Sequence, residues 1–581
     1  MSRLQLTLQS VEQLLNAGKH EDARQLLTRA LQKEPASGPL CNAMAVTLVM
    51  LRQYPQAQFY AEKAVKLLPG DGEAASTLGS ILAMMGKSAL AVPVFERAIS
   101  LLPGSINARL GLANAYGNLN RFSDVVEQCQ AGLNAHPGDL DLNVKLTLGL
   151  LNCGRAEDAV RAAERALAAN PADATLASWR AFALNYLPDI DPVQIRRAHE
   201  EYGALVESKI GQQPAPSVSQ RDGLVRIGLL SPDLRTHSVA FFVEPLLRHF
   251  DRSRLEIYCY STAKTEDKTS ERLRSMATQW RHVAGAADAE LAAKIRADGV
   301  AVLIDLAGHT SDNSLAVFAL KPAPVQATWC GYPSTTGMKS ISYRLIDSIT
   351  DPSGSDVHCV ERLIRLDPCF LCFQPPQDAP AVAPVPSVSG GGVTFGSFNT
   401  LLKLNARVVR TWSEILSAVP GSRLLLKATQ LADARVRAWT VERFQEAGVD
   451  PSRVEVVEAT ASQKDHLALY SRLDIALDPF PYAGTTTTCE ALWMGVPVLT
   501  LEGVTHAGRV GASLLTNVGQ PALIAKDVPS YIAMACDLAR DRARLESLRS
   551  TLRSAMSASV LCDGPAFAAR FESAMRALVG G

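Results

Sequence analysis

Five prolines, Pro35, Pro69, Pro103, Pro137 and Pro171, follow one another at intervals of 34 residues. Two further registers keep the same period. The position 17 before each proline holds Gly18, Arg52, Gly86, Asn120 and Gly154, and the position five before it holds Ala30, Ala64, Ala98, Gly132 and Ala166. A period of this length marks a solenoid of helical hairpins. The Gly or Asn site reads as the turn between two helices, where positive φ is cheap, with Arg52 as the exception. The Ala or Gly site lets two helices approach closely. The proline ends the second helix of each pair. One hairpin cannot bury its own apolar face, so neighbours must stack. Five units are expected from about Leu8 to Asp173. Alone, such an array would be scaffolding, but some 400 residues follow it. It therefore reads as an accessory arm whose inner surface suits extended peptides.

A chain of 581 residues exceeds one core, and its length suggests three or four domains. Lys plus Arg equals Asp plus Glu at 58 each. No global basic field argues for nucleic acid or an anionic membrane. The start, Met1 to His20, reads as an amphipathic helix rather than a signal peptide, and no run is long and apolar enough to span a bilayer. Eleven scattered cysteines fit reduced thiols in a cytoplasm better than a disulfide framework.

After Asp173 the register fails. Pro188 and Pro192 interrupt the helical pattern, and Gln212 to Gln220 reads as a linker. Strand-like runs then alternate with helical stretches: Val225–Leu230, Leu255–Tyr260, Val300–Leu306, Val325–Cys330 and Tyr343–Ile346. A break rich in Pro, Ala, Gly and Ser covers Gln374 to Gly392. A second series follows: Val393–Phe398, Arg423–Lys427, Val454–Val457, Ile475–Leu477 and Pro497–Leu501. Two such series predict two Rossmann-like halves. The expected fold is thus α + α/β: a helical array over 1–180, transition helices and linker over 181–222, a first half over 223–390, and a second over 391–581 that includes the last helix.

Ligands in such folds sit at the carboxyl ends of the strands. Four clusters fall there. Ser231 to His237 and Asp305 to Thr310 belong to the first half. Phe395 to Thr400, leading to Lys403, and Asp478 to Glu490 belong to the second. In the last cluster Gly484 ends a turn, and Thr485, Thr486, Thr487 and Thr488 open a helix. Amides at a helix start bind anions and threonine hydroxyls add donors, which suits a diphosphate. The plain alternative is that Thr485 caps the helix. Glu490 could accept from ribose hydroxyls or be a surface residue favoured by the helix dipole. Lys403, after Asn399 and Thr400, supplies a cation for a leaving diphosphate. His237 and His309 could each face a cleft as base or hydrogen-bond donor, or be structural.

Other chemistry is weakly marked. There is no Walker A motif and no GxGxxG. Asp139/Asp141 and Asp189/Asp191 match a DxD metal pattern, but lie in or just after the array. Cys369 and Cys372 have CxxC spacing, yet Phe370, Leu371 and Phe373 around them suggest a buried strand.

These clusters resemble the SPINDLY and O-GlcNAc transferase family of protein glycosyltransferases. The shared motifs are THSVAFF at 236–242, LAGHT at 306–310, RLDPCFLCF at 365–373, VTFGSFN at 393–399 with Lys403, and DPFPYAGTTTTCEALWMGVP at 478–497. The resemblance runs from about residue 8 to 575, and the repeats resemble the tetratricopeptide repeat. It implies a GT-B transferase, with the first half on the acceptor side and the second on the donor side. It implies inversion at the anomeric carbon by a Ser or Thr hydroxyl, no metal, and no cofactor beyond a nucleotide-sugar donor. Lys403 falls at the family's diphosphate lysine, Thr486 and Thr487 at its phosphate-binding threonines, Glu490 at its ribose acid, and His466 at the histidine near the nucleotide. His237 matches a histidine of disputed role, and Asn399, Thr400, Gly484 and Thr485 complete the donor set. Thr400, Thr485 and Gln463 depart from the O-GlcNAc type, where Gln, His and Lys stand. The donor is therefore UDP-GlcNAc or GDP-fucose. The expected partner is an acceptor protein held by the repeats, and the repeats could also pair two copies. The alternatives are a flagellin-modifying or small-molecule transferase of the same fold, and a scaffold with an inactive body.

Overall fold

The computed structural model describes all residues except 1, 212, 218–222 and 581, and the side chain of residue 389. Part of the expected linker over 212–220 thus lies outside the described residues. The chain divides into two compact units, 1–153 and 154–581.

The first unit is helical. Arg3–Asn16 pairs with His20–Lys33, Gly38–Met50 with Tyr54–Leu67, Gly72–Met84 with Ser88–Leu101, and Ile106–Asn118 with Phe122–Ala135; Leu140–Asn152 follows. The periodic turn does what its residues predict. Gly18, Gly86 and Gly154 take φ of 72°, 74° and 74°, and Asn120 takes 57°. Arg52 is no exception in conformation: it too sits at φ 57°. A left-handed residue with a side chain costs roughly 1–2 kcal/mol, so the packing of the flanking helices overrides local preference there. The small-residue site is a contact point, since Ala64 and Ala98 are fully buried and a Cβ at Gly132 would lie 2.7 Å from Leu142 Cδ1.

The second unit opens with helices Ala156–Ala169, Ala174–Leu184 and Pro192–Ile210. The last two form a further hairpin without the periodic proline. Its strands are β1 (Val225–Ser231), β2 (Leu255–Ser261), β3 (Gln279–His282), β4 (Val302–Asp305), β5 (Val325–Thr328), β6 (Tyr343–Ile346), β7 (Arg362–Arg365), β8 (Thr394–Ser397), β9 (Arg423–Lys427), β10 (Val454–Val457), β11 (Ile475–Leu477), β12 (Val498–Leu501) and β13 (Ile524–Ala525). They build two parallel sheets, ordered β3-β2-β1-β4-β5-β6-β7 and β10-β9-β8-β11-β12-β13. Each sheet reverses its winding beside its first strand, between β1 and β4 and between β8 and β11. That is the doubly wound order, and the crevice at each reversal is where such sheets bind ligands.

The last helix, Gly564–Gly580, packs against the first sheet's half. Phe567 and Phe571 meet the Trp329 ring at 5.8 and 5.6 Å, and Glu572 pairs with Arg254 at 3.1 Å.

The hairpin 174–210 docks on the first half with no room to spare. A Cβ at Gly203 would sit 2.0 Å from Gly337 O, and one at Gly337 2.0 Å from His199 O. Asn185 Nδ2 and His199 Nε2 meet the Tyr332 hydroxyl at 2.8 and 2.7 Å. Because backbone faces backbone at Gly203, the Gly203→Ala variant is expected to lose about 1–3 kcal/mol, as overpacked sites do. Denaturant unfolding of the purified chain followed by tryptophan fluorescence checks this; an unchanged midpoint would mean that the contact yields freely.

Candidate active site

The reversal between β8 and β11 gathers the second half's polar residues. β8 ends at Ser397, and a single 3₁₀ turn, Leu401–Lys403, brings Lys403 back over the strand end. Asn405 caps the next helix by accepting from Val408 N and donates to Phe480 O at 2.6 Å, which ties this loop to the one after β11. The Lys403 ammonium donates to Ala483 O at 2.8 Å and Asn399 Oδ1 at 3.2 Å, and lies 4.3 Å from the Tyr482 ring centre. Thr487 Oγ1 donates to the same Asn399 oxygen at 3.2 Å. Asn399 therefore joins the lysine to the threonine-rich helix. Burial pushes the Lys403 pKa down to about 8, against the upward pull of Asp478.

Asp478 shapes the turn. Its Oδ1 accepts from Gly484 N at 2.7 Å and its Oδ2 from Thr500 Oγ1 at 2.9 Å. Burial raises it to about 6. A Cβ at Gly484 would lie 2.6 Å from Thr487 Oγ1 and 2.7 Å from Asp478 Oδ1, so any side chain there would have to displace the threonine hydroxyl or the carboxylate. The helix itself is Thr486–Trp493. Thr485 precedes it but makes no side-chain capping bond. The capping alternative is thus not what the structure shows, and the first helical amides have no intrahelical acceptor. Thr400 stands beside this group and accepts from Gln430 Nε2 at 2.9 Å.

Glu490 is buried, not a surface residue. Its Oε2 meets His466 Nε2 at 2.9 Å, and His466 Nδ1 meets Lys427 Nζ at 2.8 Å. A charged Lys427 can only donate, so Nδ1 accepts and Nε2 carries the proton that Glu490 receives. Burial lowers the Lys427 pKa, opposed by Glu490. Lys427, the last residue of β9, lies outside the four strand-end clusters of the sequence. Its signal was available: a lysine at the carboxyl end of an apolar parallel strand. Gln463 opens the helix Gln463–Ala468 that carries His466.

The first half has its own crevice at the β1/β4 reversal, a cavity of about 470 Å³ lined by Asp233, Arg235, His237, Lys264, Thr310 and Asp312 among others. His237 caps the helix Ser238–His249: its Nδ1 accepts from Val239 N at 3.4 Å and lies 3.7 Å from Asp233 Oδ2. With Nδ1 accepting, the neutral ring presents Nε2–H, a donor rather than a base.

His309 is a correction. The sequence allowed it a place facing the cleft, but it is fully buried. Its Nδ1 bonds Ser178 Oγ at 2.8 Å and its Nε2 bonds Thr336 O at 2.9 Å, while His199, Tyr202 and Tyr332 surround the ring. Both nitrogens are used, so it fastens the hairpin 174–210 to the first half and has none left for a substrate. Its pKa falls to about 4 through burial, with the Thr336 bond opposing.

The remaining motifs do structural work. Asp139 and Asp191 cap helices, and Asp189 pairs with Arg407. Cys369 and Cys372 are fully buried, and burial pushes the Cys369 thiol up to about 12. All eleven cysteines are free thiols. Among the described residues no group of three or more His, Cys, Asp or Glu is placed to hold a metal, and no helix is long and apolar enough to cross a membrane.

The glycosyl transferase family 41 model matches residues 206–374 and 387–571, which covers both Rossmann halves. The chain belongs to glycosyl transferase family 41. A tetratricopeptide-repeat model matches residues 14–81. Among the relatives of this family 41 member is the Arabidopsis thaliana protein described as probable UDP-N-acetylglucosamine–peptide N-acetylglucosaminyltransferase SPINDLY. It is 40% identical over 402 residues, 68% of this chain and 44% of its own. The rice protein of the same description is 41% identical over 404 residues, 68% of this chain and 43% of its own. The chain thus spans less than half the length of these curated relatives. A solved structure of a lysine-to-methionine mutant of Thermobaculum terrenum O-GlcNAc transferase superposes with a TM-score of 0.82 at 33% identity, covering 87% of this chain and 97% of that one.

The His309 environment predicts an acid-sensitive joint. Its pKa lies below the ordinary 6.5, so the folded chain binds fewer protons than the unfolded one between that value and about 4. The stabilisation is whole above 6.5 and is lost as pH falls toward 4, on the order of 3 kcal/mol. In His309→Gln, whose amide can also donate and accept, that part of the acid dependence should vanish. Urea midpoints across this range test it, and parallel curves for the two proteins would contradict it.

Proposed function

We propose that this family 41 member is a nucleotide-sugar-dependent protein O-glycosyltransferase. It moves a sugar, GlcNAc from UDP-GlcNAc or fucose from GDP-fucose, to Ser or Thr hydroxyls of an acceptor protein held by the repeats. The observation that carries this reading is the convergence of Lys403, Asn399 and Thr487 at the β8/β11 reversal. A diphosphate placed there meets an ammonium, threonine hydroxyls and the free amides of a helix start. These groups attract the negative charge that grows as the glycosidic bond breaks, which is where electrostatic catalysis acts. The ammonium's present acceptors, a carbonyl and an amide oxygen, are weaker partners than phosphate oxygens.

On this reading Thr486 and Thr487 bind phosphate, and Gly484 and Thr485 shape the turn that leads to them. Glu490, held by His466 and Lys427, receives the ribose hydroxyls, and Thr400 borders the same pocket. The acceptor hydroxyl attacks the anomeric carbon from the face opposite the diphosphate. The new carbon–oxygen bond replaces the one to the diphosphate, the nucleoside diphosphate leaves, and the hydroxyl proton passes to water, so the centre inverts in one displacement. His237 stands at the first-half crevice as a hydrogen-bond donor to donor or acceptor. The charge stabilisation comes from Lys403 and the helix amides, so the reading requires no metal and no further cofactor. The relatives' description favours UDP-GlcNAc, while Thr400, Gln463 and Thr485 depart from the O-GlcNAc type at the donor site.

Two outcomes test this reading. Lys403→Met should abolish transfer to co-expressed acceptors, read as a mass increment on the intact acceptor, while the circular dichroism stays unchanged. A hexosamine-sized increment with wild-type enzyme identifies the first donor and a deoxyhexose-sized one the second. Normal turnover by the variant would remove Lys403 from the diphosphate site. The second test is pH. Free Lys403 titrates near 8, and a bound diphosphate holds it charged. Binding therefore takes up a proton above that value, and UDP or GDP affinity should fall by up to about tenfold per pH unit there. Calorimetry should show this slope in wild type and its loss in Lys403→Met.

A further inference from the structure

Lys403 is aimed by the loop that holds Tyr482 and Ala483, and something must hold that loop. Two of its anchors lie within the second half: Ala483 N donates to Ala507 O at 3.0 Å and Gly484 N to Asp478. A third comes from outside both Rossmann halves. The Tyr186 ring, just past the helix Ala174–Leu184, stacks on the Tyr482 ring at 5.0 Å with 22° between planes. Tyr482 in turn holds its ring 4.3 Å from the Lys403 ammonium.

Tyr186 is itself fixed. It is 4% exposed and meets Phe182 at 5.2 Å, and Phe182 stacks on Tyr332 of the first half at 6.2 Å. Asn185 beside it donates to the Tyr332 hydroxyl. A ladder of rings thus runs from the first half, through the hairpin 174–210, to the diphosphate lysine. An ammonium removed from water needs a partner at every face, and an aromatic face serves only if its ring cannot rotate away.

We infer that Tyr186 is a positioning residue for the diphosphate site: it fixes the ring of Tyr482, which with Ala483 O aims the Lys403 ammonium. The inference rests on the function proposed above. It makes the helical hairpin before the first strand part of the donor site, although none of its residues belongs to either sheet. Tyr186 touches neither nucleotide nor sugar. It acts through Tyr482, so its loss should tell on the diphosphate and not on the nucleoside.

The experiment compares UDP with UMP, and GDP with GMP, by calorimetry on the full chain. The ratio of the two affinities reports the hold on the second phosphate. Tyr186→Leu, which keeps bulk but loses the ring, should cut that ratio about tenfold, a change within the range of one cation–π contact. Tyr186→Phe should retain it. Tyr482→Leu should reproduce the loss, and the double variant should lose no more than either single one. Equal weakening of monophosphate and diphosphate, or an unchanged ratio in Tyr186→Leu, overturns the inference and leaves Tyr186 a packing residue. Should Tyr186→Leu fail to fold, Tyr482→Leu at its half-buried loop position carries the comparison, and an unchanged ratio there is equally decisive. A wild-type chain that binds neither UDP nor GDP overturns the functional reading instead, and this inference with it.

Discussion

A parallel sheet that winds first one way and then the other leaves a gap above its starting strand, because the two connections leave on opposite faces. This body has two such gaps, beside β1 and beside β8. Loops entering them cannot fill them with apolar side chains, since the strand ends bring carbonyls and amides that need partners. Each gap therefore collects polar residues. The β1 gap holds Asp233, His237 and Thr310, and the β8 gap holds Asn399, Lys403, Asp478 and Thr487. The glycosyl transferase family 41 chemistry proposed for this chain is a use of the second gap.

What distinguishes the second gap is how its charges are paired. Lys403 and Asp478 are both held away from water, and each moves the other toward its charged form. Lys427, His466 and Glu490 form a second chain in which each donor finds one acceptor. Such networks are stiff when every member is satisfied. They keep the two cations and the acid in place with no ligand bound, which lowers the reorganisation that ligand binding demands.

Several parts of this were legible in the residues. The helical array was, because one period repeats in three registers. The inner strands were, because buried parallel strands are continuous apolar runs. The edge strands β3, β7 and β13 were not: Gln-Trp-Arg-His and Arg-Leu-Ile-Arg are half-exposed and carry no such run, and β13 has only two residues. At the site, the Gly484 turn and its threonines were legible because their spacing leaves few other uses. His237 and His309 looked alike, each just after a strand. One borders a cavity, and the other lies under a helical hairpin whose position no local pattern records.

By itself, then, the sequence determined the repeats, the two Rossmann series, the strand-end clusters and the family resemblance they carry. All of these are periodic or contiguous in the chain. The tertiary structure decided which residues share a site. Lys427 joined His466 across 39 residues, Tyr186 reached Tyr482 across nearly 300, and His309 was withdrawn into a joint with Ser178, 131 residues away. Side chains so far apart meet only through the packing of whole elements, and burial depends on what is packed above as much as on the residue itself.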